Sequence, residues 1–250
     1  MNHAQPIGPC PDGRCDGSGW LLDEQANTTR ACPCRARRIK RARFRRVATS
    51  LPRLYLESAA DLDRRPVIDI RPQSARDAIR RYARELDDRL ATGRGLWLEG
   101  PPASGKTSAA VAIAKHAQRA GHAVGFYVVP ELLSMIRRSF GDHAADDYTS
   151  VKRRIDALDL LVLDDLGAEH GTEWVLEELY VIINRRLLDM RAVIVTTGLS
   201  DAELARQLTP RVVTRLERIC GAPLTLRGPA EERSAPAEER SAPVQPALLG

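Results

Sequence analysis

Gly100-Pro101-Pro102-Ala103-Ser104-Gly105-Lys106-Thr107 matches the pattern G-x-x-x-x-G-K-[ST] at every constrained position. Each constrained residue type has its own physical task. The glycines let backbone amides close on a β-phosphate, the lysine ammonium reaches the β and γ oxygens, and the hydroxyl of Thr107 completes a magnesium shell. The flanks fit such a loop. Leu96-Trp97-Leu98 is short and apolar like a buried strand, and Ser108 to Arg119 is dominated by Ala, Val and Ile like a packed helix. Strand, glycine loop and helix predict a nucleoside triphosphate site contacted by Gly100, Pro101, Pro102, Ala103, Ser104, Gly105, Lys106, Thr107 and Ser108.

Some 58 residues beyond Lys106, the run Leu158-Asp159-Leu160-Leu161-Val162-Leu163 ends in Asp164-Asp165. A parallel strand delivers Asp164 to the sheet edge that carries the phosphate loop, where a carboxylate holds hydrated magnesium. Asp165, one residue on, is placed to orient or deprotonate an attacking water. Standing alone, an acidic pair after an apolar run reads as a turn. Downstream of a phosphate loop it reads as the second half of a triphosphate site.

The chain has 250 residues, 43% of them hydrophobic, enough for one main domain with extensions. No run approaches a membrane span and Met1 to Gly8 has no apolar signal core, which predicts a cytoplasmic location and no membrane partner. The net charge of +5 is unevenly placed: residues 1–50 hold ten Arg/Lys against four Asp/Glu, and the remainder sums to −1. Attraction to a polyanion therefore belongs to the front. Aromatic residues make up only 4%, too few for a base-stacking sheet to be the main device.

Four of the five cysteines, Cys10, Cys15, Cys32 and Cys34, fall in the first 34 residues. In a reducing compartment, four thiolates from two short knuckles close a tetrahedral zinc site and order a segment too small to own a core. The turn Asp16-Gly17-Ser18-Gly19 bends the chain back between them. The spacings are not the usual C-x2-C pairs, so free or redox-active thiols remain the alternative. Cys220, in an apolar context, reads as a small core residue. From Arg35 to Arg46 eight of twelve residues are basic, a helix suited to phosphate contact or simply a solvated face.

Leu51-Pro52 opens into the main domain, and residues 73–91 form one amphipathic helix. Ala123 to Val129 is the second core strand, Pro130 to Phe140 a helix, 149–157 a short helix, Trp174 to Leu188 a long one, and Ala192 to Thr197 the fourth strand. Thr209 is the N-cap of a helix over Arg211 to Ile219, with Arg211, Arg215 and Arg218 facing solvent or a neighbour. Pro229 to Ala235 recurs unchanged as Pro236 to Ala242, a polar repeat that has no face to bury.

The order of these signatures resembles the DnaC/DnaI-type helicase loaders and the related IstB-like ATPases of the AAA+ initiator branch, over roughly residues 10 to 227. The resemblance rests on the cysteine cluster, Leu51-Pro52, Gly100 to Thr107, Leu161 to Ala168, Glu173-Trp174 with Asn184-Arg185-Arg186, Thr196-Thr197 and Arg211 to Leu216. It implies a three-layer α/β domain with a mostly parallel sheet in strand order 5-1-4-3-2. It also implies ATP and Mg2+ as ligands, with Lys106 and Thr107 in Walker A, Asp164 and Asp165 in Walker B, and Arg215 as the arginine finger ahead of Arg211. Two departures stand out. The family's polar sensor after the paired hydroxyl residues is replaced by Gly198, which moves that task to Thr197 or removes it and implies slow hydrolysis. A sensor arginine after the last strand is represented only by Arg227, so the lid is minimal or absent.

The resulting organisation is a zinc module over 1–34, a basic helix over 35–50, an ATPase domain over 51–227 and a polar tail over 228–250. The implied activity is ATP-dependent loading of a hexameric replicative DNA helicase, gripped through residues 1–50, onto single-stranded DNA, with self-association through the AAA+ faces. Arg137 and Arg138, after the second strand, stand where initiator-branch proteins face that strand. The competing expectation is an IstB-like regulator acting on a transposase and duplex DNA, and a third is a nucleotide-binding adaptor with negligible turnover.

Overall fold

Four short apolar runs form most of the sheet because each is covered on both faces, as parallel strands must be. The computed structural model describes residues 10, 12–23, 28–35, 70–140, 147–169 and 171–228. After an antiparallel hairpin, β1 (Trp20–Asp23) with β2 (Thr28–Ala31), come the core strands β3 (Leu96–Glu99), β4 (Val124–Val128), β5 (Leu160–Asp164), β6 (Ala192–Thr197) and β7 (Leu224–Thr225). All five core strands are parallel, in the order β4-β5-β6-β3-β7. Counting core strands alone this is 2-3-4-1-5, the expected 5-1-4-3-2 seen from the other edge. The short β7 is the strand that sequence periodicity did not reveal.

Alternation along the strands sends side chains into two cores. On one face Trp97, Leu161, Leu163, Val193 and Val195 pack against α4 (Val129–Arg138), α5 (Tyr148–Asp156), α6 (Glu173–Leu188), α7 (Asp201–Leu208) and α8 (Pro210–Cys220). On the other, Leu98, Phe126, Leu160, Val162 and Ile194 pack against α1 (Gln73–Arg84), α2 (Leu86–Ala91) and α3 (Lys106–Arg119). Helix, sheet, helix is the three-layer α/β fold. Alanines at 109, 110, 114 and 117 let α3 lie close on the sheet.

Some expectations change in detail. The single helix over 73–91 is two, interrupted at Glu85. Thr209 does not cap α8 with its side chain; it has φ +88° and joins α7 to α8. Helix α7 was not anticipated, although Ser200 and Glu203 build a reciprocal capping box at its start. Arg186 is buried and donates to the carbonyls of Ile155, Leu158, Asp159 and Ala192, closing the ends of α5, β5 and β6 over one side chain. Cys220 is half-buried and its thiol donates to the Val193 carbonyl. After β7, Arg227 forms an antiparallel bridge with Arg71, and no further helix follows among the described residues. No helix among them is long and apolar enough to cross a membrane. The basic run beyond Arg35, Leu51-Pro52 and the repeat from Pro229 lie outside the described residues.

Candidate functional site

Strand β3 runs buried between β6 and β7 and releases the chain into the loop at the carboxyl edge of the sheet, where ligands of open α/β sheets bind. Gly100 has φ +146°, and a Cβ there would stand 2.2 Å from the Leu226 carbonyl oxygen, so no other residue fits. Ala103 and Gly105 also have positive φ, and Gly105 is the N-cap of α3. Pro101 is half-buried, Pro102 and Ala103 are exposed, and Ser108 lies half-buried in the first turn of α3. Ser104 is buried with an unpartnered Oγ, an orphaned hydroxyl inside the loop that suits a phosphate oxygen.

Lys106 Nζ donates to the carbonyls of Gly100 (2.7 Å) and Pro101 (2.8 Å), which holds the ammonium within the loop. Burial lowers its pKa, against the charges of Asp165 and Asp164, which raise it. Asp164 ends β5 and is 5% exposed. Burial raises its pKa, while hydrogen bonds from the Thr196 and Thr107 hydroxyls pull it down; the neighbouring charge of Asp165 raises it further and Lys106 lowers it. Thr107 and Asp164 therefore meet directly. Together with Lys106 they form the oxygen-rich, mixed-charge setting that Mg2+ and a triphosphate take. Asp165 is exposed, with φ +60° and its amide bonded to Thr196 Oγ1.

The hydroxyl reaching the end of β5 is that of Thr196, which donates to Asp164 Oδ1 at 2.7 Å. Thr197, the expected substitute for the missing polar sensor, points to the other face and accepts from the Leu199 amide at 3.1 Å. Strand parity carries the distinction: β5 and β6 are in register at Leu163 and Val195, so the next residues, Asp164 and Thr196, share a face. Gly198 is exposed, and an added Cβ would meet nothing within 4 Å.

Arg215 is fastened to α6. Nε donates to Asn184 Oδ1 (2.7 Å), one terminal nitrogen to the Tyr180 hydroxyl (2.9 Å) and the other to the Arg211 carbonyl, and the guanidinium lies 4.5 Å over the Tyr180 ring. None of these partners belongs to the phosphate loop. Arg211 and Arg218 are exposed on α8, while Arg227 gives its amide to Arg71.

In the hairpin segment, Cys10, Cys15, Cys32 and Cys34 converge, with all four sulfurs within 4.8 Å of one another. Cys15 and Cys34 are 3.6 Å apart at sulfur and Cys10 and Cys32 3.9 Å. Zinc–sulfur bonds of about 2.3 Å in a tetrahedron require edges of about 3.8 Å, so the set fits a zinc ion. The thiols differ electrically. At Cys10 burial is outweighed by backbone hydrogen bonds from Cys15, Arg14 and Asp12, bringing the pKa down to about 6. At Cys34 burial and the neighbouring thiols push it up to about 12. A zinc ion held there would bind the four sulfurs as thiolates.

Residues 25–219 match the family model described as IstB-like ATP binding protein. The chain belongs to this family. Among its relatives are an ATP-binding protein of insertion sequence IS1162 from Pseudomonas fluorescens, 32% identical over 54% of this chain and 62% of that protein, and the replicative helicase loader DnaI of Bacillus subtilis, 27% identical over 47% and 37%. The crystal structure of the DnaC helicase loader superimposes with a TM-score of 0.59 at 25% identity, covering 70% of this chain and 99% of that one. The chain thus spans about half the length of the curated relatives it matches. The IstB-like family and the DnaC/DnaI loaders share its P-loop AAA+ fold, and the phosphate loop described above lies within the matched region.

Proposed function

We propose that this IstB-like protein is an ATP-controlled loader of a replicative DNA helicase onto single-stranded DNA. The observation that carries the reading is a four-thiol hairpin placed ahead of a complete phosphate-loop edge. A module over 1–34, held by zinc on Cys10, Cys15, Cys32 and Cys34, and the basic segment 35–50 grip the helicase. Residues 51–227 form the ATP switch, and 228–250 are a polar tail. Full-length protein with ATP, mixed with the host's hexameric helicase at low salt, should retain it. Failure of folded, metal-loaded protein to do so removes the loader reading.

The zinc component has its own test. Purified protein is expected to contain about one zinc ion per chain, and Cys32→Ser to lose both the metal and the helicase while ATP binding persists. Metal-free wild type that still binds the helicase would contradict it.

In the ATP site, Gly100 to Ser108 cradle the phosphates, and Lys106 neutralises the β and γ oxygens. Thr107 and Asp164 hold Mg2+, which supplies charge neutralisation when bound. Asp165 stands exposed beside Asp164, oriented by Thr196, to direct a water and accept its proton. Arg215, fixed on α6 away from its own loop, serves as a finger toward the site of a neighbouring copy. Hydrolysis is slow because Gly198 offers no polar group. Gly198→Asn enters open space, and is expected to raise turnover about tenfold or more by restoring a donor. Unchanged turnover with intact ATP binding would dismiss Gly198 as the cause.

Support for single-stranded DNA comes from an aromatic cluster after α4. Phe140, 55% exposed, stacks on Tyr148 with centroids 4.6 Å apart and meets Trp174 edge-on, while Arg137 lies 4.7 Å over the Trp174 ring. Aromatic faces beside a guanidinium suit unpaired bases and phosphates. Affinity for an oligonucleotide should fall with salt; salt-independent binding excludes phosphate neutralisation.

The second reading, a transposition regulator working with a transposase on duplex DNA, is favoured by the family match and the insertion-sequence relative. ATP-dependent filaments on duplex DNA, with no helicase retained, would select it.

A further inference from the structure

Asp165 occupies the left-handed region at φ +60°, an unfavourable conformation for a residue with a side chain, so the turn that follows β5 must hold it there. Part of that hold comes from β6: the Asp165 amide donates to Thr196 Oγ1 at 2.9 Å, and the Leu166 amide to the Thr196 carbonyl at 2.8 Å. Part is internal, with the Ala168 amide on the Asp165 carbonyl (3.2 Å) and the Gly167 amide on Glu169 Oε2 (3.0 Å). Two further carbonyls of the turn, those of Gly167 and Glu169, take a partner from elsewhere in the chain.

That partner is Gln207, in the last turn of α7. Its Nε2 donates to the Gly167 carbonyl at 2.5 Å and to the Glu169 carbonyl at 2.9 Å. Two acceptors fix the amide's orientation, since only its NH2 end donates. Packing reinforces the contact: a Cβ on Gly167, at φ +94°, would stand 2.7 Å from Leu199 Cδ1 and 3.0 Å from Leu204 Cδ1, so the turn lies tight under the start of α7. Two residues past Gln207, Thr209 turns the chain into α8, the helix of Arg211 and Arg215.

We infer that Gln207 is a positioning residue for ATP hydrolysis, acting by holding the 165–169 turn so that Asp165 is presented at the end of β5. Gln207 touches neither nucleotide nor reacting water. The inference rests on the reading of Asp165 as the group that directs the hydrolytic water.

The test compares full-length wild type, Gln207→Leu, Gln207→Asn and Asp165→Asn by phosphate release and by binding of a fluorescent ATP analogue. Gln207→Leu keeps the volume and removes both donors. It is expected to lower kcat by about tenfold to a hundredfold, the effect of a small misplacement of a reacting group, with nucleotide affinity within about twofold of wild type. Gln207→Asn, one methylene short of both carbonyls, gives the same split and decides the matter should the leucine variant not fold. Wild-type kcat in these variants overturns the inference, as does a parallel fall in affinity and kcat, which would mark a general loosening of the site. If Asp165→Asn is inactive while the Gln207 variants turn over normally, the inference alone fails. If Asp165→Asn turns over like wild type, or the wild type does not turn over, the reading of Asp165 fails and takes the inference with it.

Discussion

Lys106→Ala is expected to weaken ATP binding by about a hundredfold to a thousandfold. The ammonium is already held in the loop by two carbonyl acceptors, so reaching a triphosphate requires little further ordering. Hydrogen bonds to charged groups contribute about 1.5–3 kcal/mol each, and losing two at the lower end of that range, about 3–4 kcal/mol together, corresponds to that loss of affinity. Because Lys106 is only half-buried and supports no core contact, the melting temperature without nucleotide should stay near that of wild type. Lys106→Arg is not a rescue, since a planar guanidinium cannot take the place of a compact ammonium between those carbonyls. Calorimetric titration with Mg-ATP measures the effect. Unchanged affinity would end the nucleotide reading and everything built on it.

The second large effect is on turnover. Asp165→Asn preserves shape and hydrogen-bonding reach but removes the proton acceptor, so kcat is expected to fall by about 10²–10⁴-fold. ATP affinity should hold, because Lys106, Thr107 and Asp164 are untouched. The opposite split, weakened binding with normal turnover, would move Asp165 from water activation to ligand holding. Equal, near-zero phosphate release in wild type and variant would leave a nucleotide-binding adaptor.

The features legible in the sequence were those with a dense local signal. Leu160 to Leu163 and Ala192 to Val195 are continuous apolar runs, wholly buried in the structure, and needed no partner to be recognised as strands. Gly100 to Thr107 was legible because its backbone demands show directly as glycines. The fifth strand was not, because two residues, Leu224 and Thr225, have no periodicity; their strand character comes from pairing with Leu98 and Glu99. Thr196 and Thr197 are indistinguishable by type, and only the register between β5 and β6 says which one faces Asp164. The capping box at Ser200 and Glu203 was present in the sequence as S-x-x-E, but the apolar pattern after it is too short to declare a helix. Asn184 and Arg186 belonged to a recognised motif without evident tasks. The fold supplies them, one on Arg215 and the other on four carbonyls from distant segments.

The bridge between Arg71 and Arg227 has a topological consequence. It brings the segment preceding the layers and the segment following them to a common exit, and Gly228 lies there against Pro101, where an added Cβ would stand 3.2 Å from the proline ring. A short tether could join the two flanks at that exit, and a circularly permuted chain reopened in a surface loop would keep both cores and the strand order intact.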